Sequence, residues 1–188
     1  MMGVALYEPP ASGKSTVTAA LSRLDTRFVL VRKLKAGDRR GTEYDFVTVE
    51  KLARLRAAGR LLLETRRYGN TYAIDRHQVS RLITAGHVPV VHLGNISDLR
   101  RLTEAGPWMI VLLWIPRQVC EHRCRQHGDH DTPQRLKARD KTLADLHTHA
   151  KTPFRHRFQT DLVTPDEIAV RIASAHAELK AVAGDQHA

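Results

Sequence analysis

The residues best suited to chemistry stand near the amino terminus. Residues 8–16 read E-P-P-A-S-G-K-S-T, between the short apolar run 3–7 (GVALY) and the segment 15–24 (STVTAALSRL), which has helical spacing. The pattern G-x-x-x-x-G-K-[ST] between a strand and a helix cradles nucleotide phosphates. Gly13, Lys14 and Ser15 meet it in spacing and in context, and only its first glycine is replaced, by Glu8. Each retained part has a physical reason. Backbone N–H groups at a helix N-terminus face an anion, a lysine reaches the β/γ-phosphates, and a serine hydroxyl holds Mg²⁺. Glycine lets the backbone approach a phosphate closely. The expected phosphate-binding set is therefore Ala11, Ser12, Gly13, Lys14, Ser15 and Thr16, with Ser15 as the Mg²⁺ residue. The plainer alternative is a helix cap with an incidental lysine. A phosphate loop alone does not separate a kinase from a hydrolase or a switch.

The elements that must position this loop follow from periodicity. Besides 3–7, strands are predicted at 27–32, 60–65, 87–93 and 108–115, with a last one at 160–163. The run 108–115 is the strongest, continuous and apolar as a central parallel strand should be; Pro89 confines its own strand to a beginning or an edge. Helices are predicted at 48–59, 73–86 and 97–106, with Gly59 and Gly86 closing the first two and Ser97 capping the third. Charged helical segments cover 116–128 and 132–150, and Thr164-Pro165-Asp166-Glu167 is a capping signature opening a C-terminal helix to about 182. The stretch 33–46 reads as polar and glycine-containing. Alternating strands and helices predict an α/β fold: a three-layer arrangement with a parallel sheet covered by helices on both faces.

Composition narrows the function classes. The chain has 188 residues, enough for one domain with a real core. Its longest apolar run, 109–115, is too short to span a bilayer, and no secretory leader is read at the start, so a cytoplasmic protein is expected. A net charge of +10, from 30 basic and 20 acidic residues, favours anionic partners. Aromatic residues are only 5%, with no basic run interleaved among them, so nucleic acid ranks last as a partner. Cys120 and Cys124 lie one helical turn apart and read as reduced thiols. His122, His127 and His130 lie close by, but the spacing matches no zinc pattern.

Past the loop, several ordered blocks resemble the guanylate kinase family of nucleoside monophosphate kinases. EPPASGKST is similar to that family's G-P-S-G-x-G-K-S-T, with Pro9 matching its proline, and residues 32–52 (RKLKAGDRRGTEYDFVTVEKL) are similar to R-T-P-R-x-G-E-x-x-G-x-D-Y-x-F-V. AAGRLLLETRRYGNTYA (57–73) resembles F-(I/L)-E…G-N-Y-Y-G, AGHVPVVHL resembles S-G-K-x-x-(I/L)-L-D-(I/V)-D, and RCRQHG…TPQRLKARDKTLADL resembles a lid R-L-x-x-R-G…R-L-x-x-A. The similarity runs from residue 3 to about 146. It implies a P-loop kinase fold with a core at 1–31 and 86–188, an acceptor-binding region at 32–85 and a lid at about 120–140, using ATP and Mg²⁺. By match to the motifs, Arg32, Lys35, Tyr44 and Tyr72 would hold the acceptor's phosphate. Glu64 falls near the carboxylate that reads the guanine edge, and Arg123 and Arg135 fall on lid arginines that stabilise the transferring phosphate alongside Lys14.

The departures from the family gather at the chemistry. Glu8 and Ala11 replace loop glycines, Lys35 replaces an arginine, and the second strand is apolar where the family has Ser/Thr for guanine. Thr71 replaces the first tyrosine of Y-Y, His127 replaces a lid arginine, and the lid is shorter. His92 and Gly94 replace both aspartates of D-x-D; HLGN (92–95) is loosely similar to the N-G-S of ribose 1,5-bisphosphate kinases, which lack a clear YDF. The reading is a divergent ATP-dependent kinase whose acceptor is a phosphate-bearing small molecule: a nucleotide, a sugar phosphate or a specialised metabolite. The alternative is a catalytically inactive guanylate-kinase-like binding module. Oligomeric state is left open, a homodimer included. Glu8 is expected to point sideways into solvent, with Pro9-Pro10 fixing the loop; the competing idea makes it a catalytic carboxylate that replaces the lost aspartates.

Overall fold

A computed structural model describes residues 2–67, 69–126 and 131–185. Five parallel strands form the main sheet in the order β2-β7-β1-β8-β9: β1 (Gly3–Tyr7), β2 (Phe28–Leu30), β7 (Val88–Leu93), β8 (Trp108–Trp114) and β9 (His156–Gln159). A second, four-stranded sheet lies in the region between β2 and β7, in the order β4-β3-β6-β5. Its strands are β3 (Lys33–Ala36), β4 (Tyr44–Phe46), β5 (Leu61–Arg67) and β6 (Asn70–Asp75).

Both faces of the main sheet are covered, as the alternating elements predict. Val4, Leu6 and Val111 on one face pack with Val17 and Leu21 of α1 (Lys14–Leu24) and Ile168 and Ile172 of α7 (Pro165–Asp185). Ala5, Tyr7 and Val91 on the other face pack with Val79 of α3 (Arg76–Thr84) and with Ile96 and Leu99 of α4 (Ile96–Glu104). Leu63 and Ile74 of the second sheet join that cluster and seat the insertion on the core. A separate cluster of Leu34, Ala73, Leu52 and Leu55 packs α2 (Val49–Ala57) on the insertion's outer face. Among the described residues no helix is long and apolar enough to cross a membrane.

Three local capping signals hold. Gly59 and Gly86 follow their helices with φ of 65° and 81°. Thr164 and Glu167 form a reciprocal capping box, the Thr164 N–H donating to the Glu167 carboxylate at 2.9 Å and the Glu167 N–H to the Thr164 hydroxyl at 3.3 Å. Four boundaries differ from the sequence reading. The polar stretch 33–46 contains β3 and β4, because pairing to β6 and packing on α2 override its composition. Residues 70–75 form β6 rather than the start of a helix, and Asp75 caps α3 by accepting from the His77 N–H. Asn95, not Ser97, caps α4, its side chain accepting from the Asp98 N–H at 2.7 Å. The last strand lies at His156–Gln159, where Phe158 pairs with Leu113 and is buried, and not at 160–163.

Candidate active site

The loop that leaves β1 turns at the carboxyl edge of the main sheet, where open α/β sheets place their ligands. The Glu8 N–H donates to the Leu93 carbonyl at 3.0 Å, so the chain stays tied to β7 for one residue past the strand. Ala11 (φ 59°) and Gly13 (φ 85°) are both left-handed, which curls the backbone around the start of α1. Gly13 is the N-cap and supplies no side chain, so the first N–H groups of α1 have no side-chain cap. Helix α1 thus offers unsatisfied donors and the positive end of its dipole to an anion. Lys14 is partly buried beside it, while Ser15 and Thr16 are exposed.

Glu8 turns inward, against the expectation that it faces solvent. It is 7% exposed. Its carboxylate accepts the Ser12 hydroxyl at 2.6 Å and lies 3.6 Å from Lys14 Nζ. The Glu8 charge is the main reason that the Lys14 ammonium is held above its ordinary pKa. The loop therefore carries an internal anion where the pattern has a glycine.

Two helices close the loop from behind. Arg123 of α5 (Arg117–Gln126) donates to the Ala11 carbonyl at 3.1 Å and to the hydroxyl and carbonyl of Thr160 at 3.2 and 2.9 Å. Its guanidinium braces the loop's backbone, and a Cβ on Gly13 would stand 3.8 Å from it. Arg135 of α6 (Thr132–Thr148) pairs with Asp131 at 2.9 Å, and its charge reaches Lys14. Cys120 is buried under the loop, its thiol 3.4 Å from the Pro10 carbonyl, and burial pushes its pKa up to about 11. Of the histidines considered with the cysteines, His127 and His130 lie outside the described residues. Among the described residues no group of His, Cys, Asp and Glu is arranged to hold a metal.

The insertion presents a second charged face. Lys33 pairs with Tyr44, and Lys35 with Phe46 and Tyr72, so these side chains share one side of the sheet. Lys35 is buried under the rings of Tyr44, Phe46 and Tyr72, with Nζ 5.2, 5.9 and 5.7 Å from their centroids. It donates to Asp38 at 2.6 Å and to the Arg40 carbonyl at 2.8 Å. Arg32 is not brought to this group: it is 46% exposed and donates to Asp45 and the Tyr44 carbonyl, both at 2.7 Å. Glu64 lies on the other side too. It pairs with Ala73, on the α2 face, and its carboxylate is held by Arg56 of α2.

Three contacts join this insertion to the core, made from the insertion's side by Glu43, Arg67 and Thr65, which motif reasoning missed. Glu43 lies 3.6 Å from His92 Nδ1, while His92 Nε2 meets the Thr18 hydroxyl of α1 at 2.8 Å. The His92 hydrogen bond, with Lys14 beyond it, lowers the Glu43 pKa to about 2. Arg67 of β5 donates to the Gly94 carbonyl at 3.3 Å, and a Cβ at Gly94 would stand 2.6 Å from Arg67 Nη1. Thr65 donates to the Asp98 carboxylate, which Asn95 also holds at 2.6 Å. Lys33 lies within electrostatic range of Glu8, Lys14, Glu43 and Asp98, and burial lowers its pKa to about 8. Strand alternation from Lys35 was a usable signal for Lys33. Nothing in the local sequence pointed to Arg67.

Comparison of the sequence with known proteins relates the chain to guanylate kinases. The chain is 30% identical over 133 residues to the guanylate kinase of Bordetella pertussis, covering 67% of this chain and 61% of that protein's length. It is 28% identical over 185 residues to the guanylate kinase of Nitratidesulfovibrio vulgaris, covering 94% of this chain and 83% of that one. The chain is a divergent relative of the guanylate kinases. No family model matches it. This guanylate-kinase-like chain shares its fold with the crystal structure of guanylate kinase from Anaplasma phagocytophilum (TM-score 0.63, 15% identity, 94% of this chain and 85% of that one). It also shares it with a sugar kinase from Janibacter sp. (TM-score 0.53, 16% identity, 93% of each chain). In the guanylate-kinase-like frame, His92 and Gly94 stand at the two D-x-D positions. Both stand at the join between core and insertion: His92 Nε2 meets the Thr18 hydroxyl while its Nδ1 lies 3.6 Å from Glu43, and Gly94 leaves room for Arg67.

Proposed function

We propose that this chain is an ATP-dependent phosphotransferase that moves the γ-phosphoryl group of ATP to a phosphate-bearing small molecule, held on the face of Lys35, Tyr44 and Tyr72. The observation that supports the reading is that the uncapped N-terminus of α1 with Lys14 lies within electrostatic range of Lys33, on the insertion face that carries the buried Lys35 and the paired Tyr44 and Tyr72. Phosphoryl transfer is catalysed mainly by positioning and by positive charge around a dispersed negative charge. Lys14 would hold the β/γ-phosphates, Arg135 would add charge from the lid, and Arg123 would keep the loop's backbone in place.

The donor set fits a magnesium nucleotide. Ser15 is exposed at the start of α1, and Glu8 is the carboxylate inside the loop, so these two would hold Mg²⁺. When bound, the ion neutralises phosphate charge and polarises phosphate oxygens. A carboxylate beside ATP phosphates is repulsive without such a cation, which supports a catalytic or metal-holding part for Glu8. The acceptor side supports something other than an ordinary GMP kinase. Glu64 faces Arg56 rather than the cleft, and Val29 and Leu30 offer no hydroxyl to a guanine.

The second reading, a binding module without catalysis, draws on the Glu8–Lys14 contact itself, since an internal anion already engages the loop lysine. A coupled ADP-release assay with ATP–Mg²⁺ separates the two. Its panel is GMP, dGMP, AMP, CMP, UMP, ribose 1,5-bisphosphate and other phosphorylated intermediates. Release with one compound, lost in Lys14→Met, is the expected result. Tight ATP binding with no release across the panel favours the module.

A further inference from the structure

Three cations stand near the acceptor face: Arg32, Lys33 and Lys35. Their partners differ. Arg32 is engaged by Asp45 and the Tyr44 carbonyl, and Lys35 by Asp38 and the Arg40 carbonyl. The Lys33 ammonium makes no hydrogen bond or ion pair among the described residues, although the residue is partly buried. From the phosphotransferase reading above, we propose that Lys33, rather than Arg32, is the second cation that meets the acceptor's phosphate, beside the P-loop.

Backbone geometry explains the exchange. The related motif reads R-T-P-R, and a proline breaks regular strand pairing. Here Leu34 stands in its place, so β3 runs unbroken over Lys33–Ala36. Successive side chains of a strand point to opposite faces. Lys33 and Lys35 therefore share the face of Tyr44 and Tyr72, while Leu34 packs toward Leu52 and Leu55 of α2. Arg32 follows the Leu34 side, and Asp45, the residue paired with Leu34, is its partner.

The charges around Lys33 come from four elements: Glu8 after β1, Lys14 on α1, Glu43 before β4 and Asp98 on α4. Each carboxylate already has donors of its own: Ser12 and Lys14 for Glu8, His92 for Glu43, and Thr65 and Asn95 for Asp98. An arriving phosphate would give the Lys33 ammonium the partner it lacks, within electrostatic range of Lys14. A buried ammonium without a partner is costly, so the contact with a dianion is favourable on both sides.

The test compares acceptor kinetics of K33M, K33R and R32M, using the panel compound that releases ADP fastest. K33M is expected to raise the acceptor KM at least tenfold more than R32M does, with the KM for ATP changed by less than about threefold. K33R is expected to recover much of the loss and to extend the alkaline limb of kcat/KM above about pH 8, since a guanidinium keeps its proton. A larger loss in R32M than in K33M overturns the proposal. A second experiment needs no turnover. Pyridoxal 5′-phosphate condenses with an unprotonated amine, losing water, and borohydride then reduces the imine by hydride transfer. Labelling of Lys33 in the peptide map, suppressed by inorganic pyrophosphate, is expected. Labelling confined to other lysines overturns it. Lys33 labelling without ADP release from any panel compound would reject the phosphotransferase reading while keeping Lys33 as an anion site.

Discussion

Glu8 Oε1 lies 3.6 Å from Lys14 Nζ, inside the loop that joins β1 to α1. The pair joins the residue at the pattern's missing first glycine to the one residue that phosphate chemistry most requires. Near a protein surface two unit charges about 4 Å apart interact by roughly 4 kcal/mol, so on the proposed reading this contact would shape how ATP binds.

Glu8→Gln removes the internal anion without changing the loop's length. ATP should then bind more tightly in the absence of Mg²⁺, by about tenfold, a fraction of the interaction available at that distance. Its dependence on Mg²⁺ should weaken and acceptor-dependent ADP release should slow. Calorimetric titrations of ATP with and without Mg²⁺ check the first part. Undiminished turnover in Glu8→Gly would remove Glu8 from the chemistry.

Lys14→Met should lower turnover by roughly a hundredfold to a thousandfold, the range seen when one preorganised electrostatic group is lost. It should also destabilise the protein, by about 1–3 kcal/mol, because the buried Glu8 carboxylate keeps Ser12 but loses its cation. Combining it with Glu8→Gln should restore much of the stability and none of the turnover. Urea melts of the three variants, set beside ADP release, test this; additive stability losses would contradict it.

Glu43 makes stability depend on acid. Its carboxyl titrates at about 2 in the folded protein against 4.5 ordinarily, chiefly because His92 bonds the ionised form. A carboxylate with a depressed folded pKa contributes stability that is fully present above its ordinary value and is lost as pH falls through the folded one. Wild type should therefore lose stability between about pH 4.5 and 2 more steeply than Glu43→Gln. Parallel pH profiles of the unfolding midpoint for both proteins would show that Glu43 contributes nothing there.

Gly94 is needed for space rather than for backbone freedom. A Cβ there would stand 2.6 Å from Arg67 Nη1. Gly94→Ala should cost about 0.5–1.5 kcal/mol, the cost of an off-rotamer shift, because Nη1 is the far end of a flexible side chain that can move aside. In an Arg67→Ala background the same change should cost less than about 0.5 kcal/mol, a coupling that a double-mutant cycle measures. Equal costs in the two backgrounds would mean that Arg67 is not the obstacle.

Much of the core was legible because its signals are local. Continuous apolar runs mark β1, β7 and β8, and Thr164 with Glu167 marks the start of α7 through hydrogen bonds only three residues apart. The strands β3, β4 and β6 were not legible. Their residues are polar or mixed, and they become strands through pairing with one another and packing on α2. The site divided along the same line. Gly13, Lys14 and Ser15 follow from spacing at one strand–helix junction. Arg32 and Glu64 match motif positions, yet strand parity turns each away from Lys35 and Tyr72.

The sequence by itself determined the phosphate loop, the alternating α/β core and the kinship to guanylate kinases, because those depend on residue spacing and on short-range backbone chemistry. Only the tertiary structure decided where the charges point. Glu8 turns toward Lys14 because the loop curls through two left-handed residues, and Lys33 shares the face of Lys35 and Tyr44 because β3 runs unbroken. Glu43 and Arg67 reach His92 and Gly94 because the insertion is seated on the core by Leu63 and Ile74. Such contacts join residues far apart in the chain, so no local pattern encodes them.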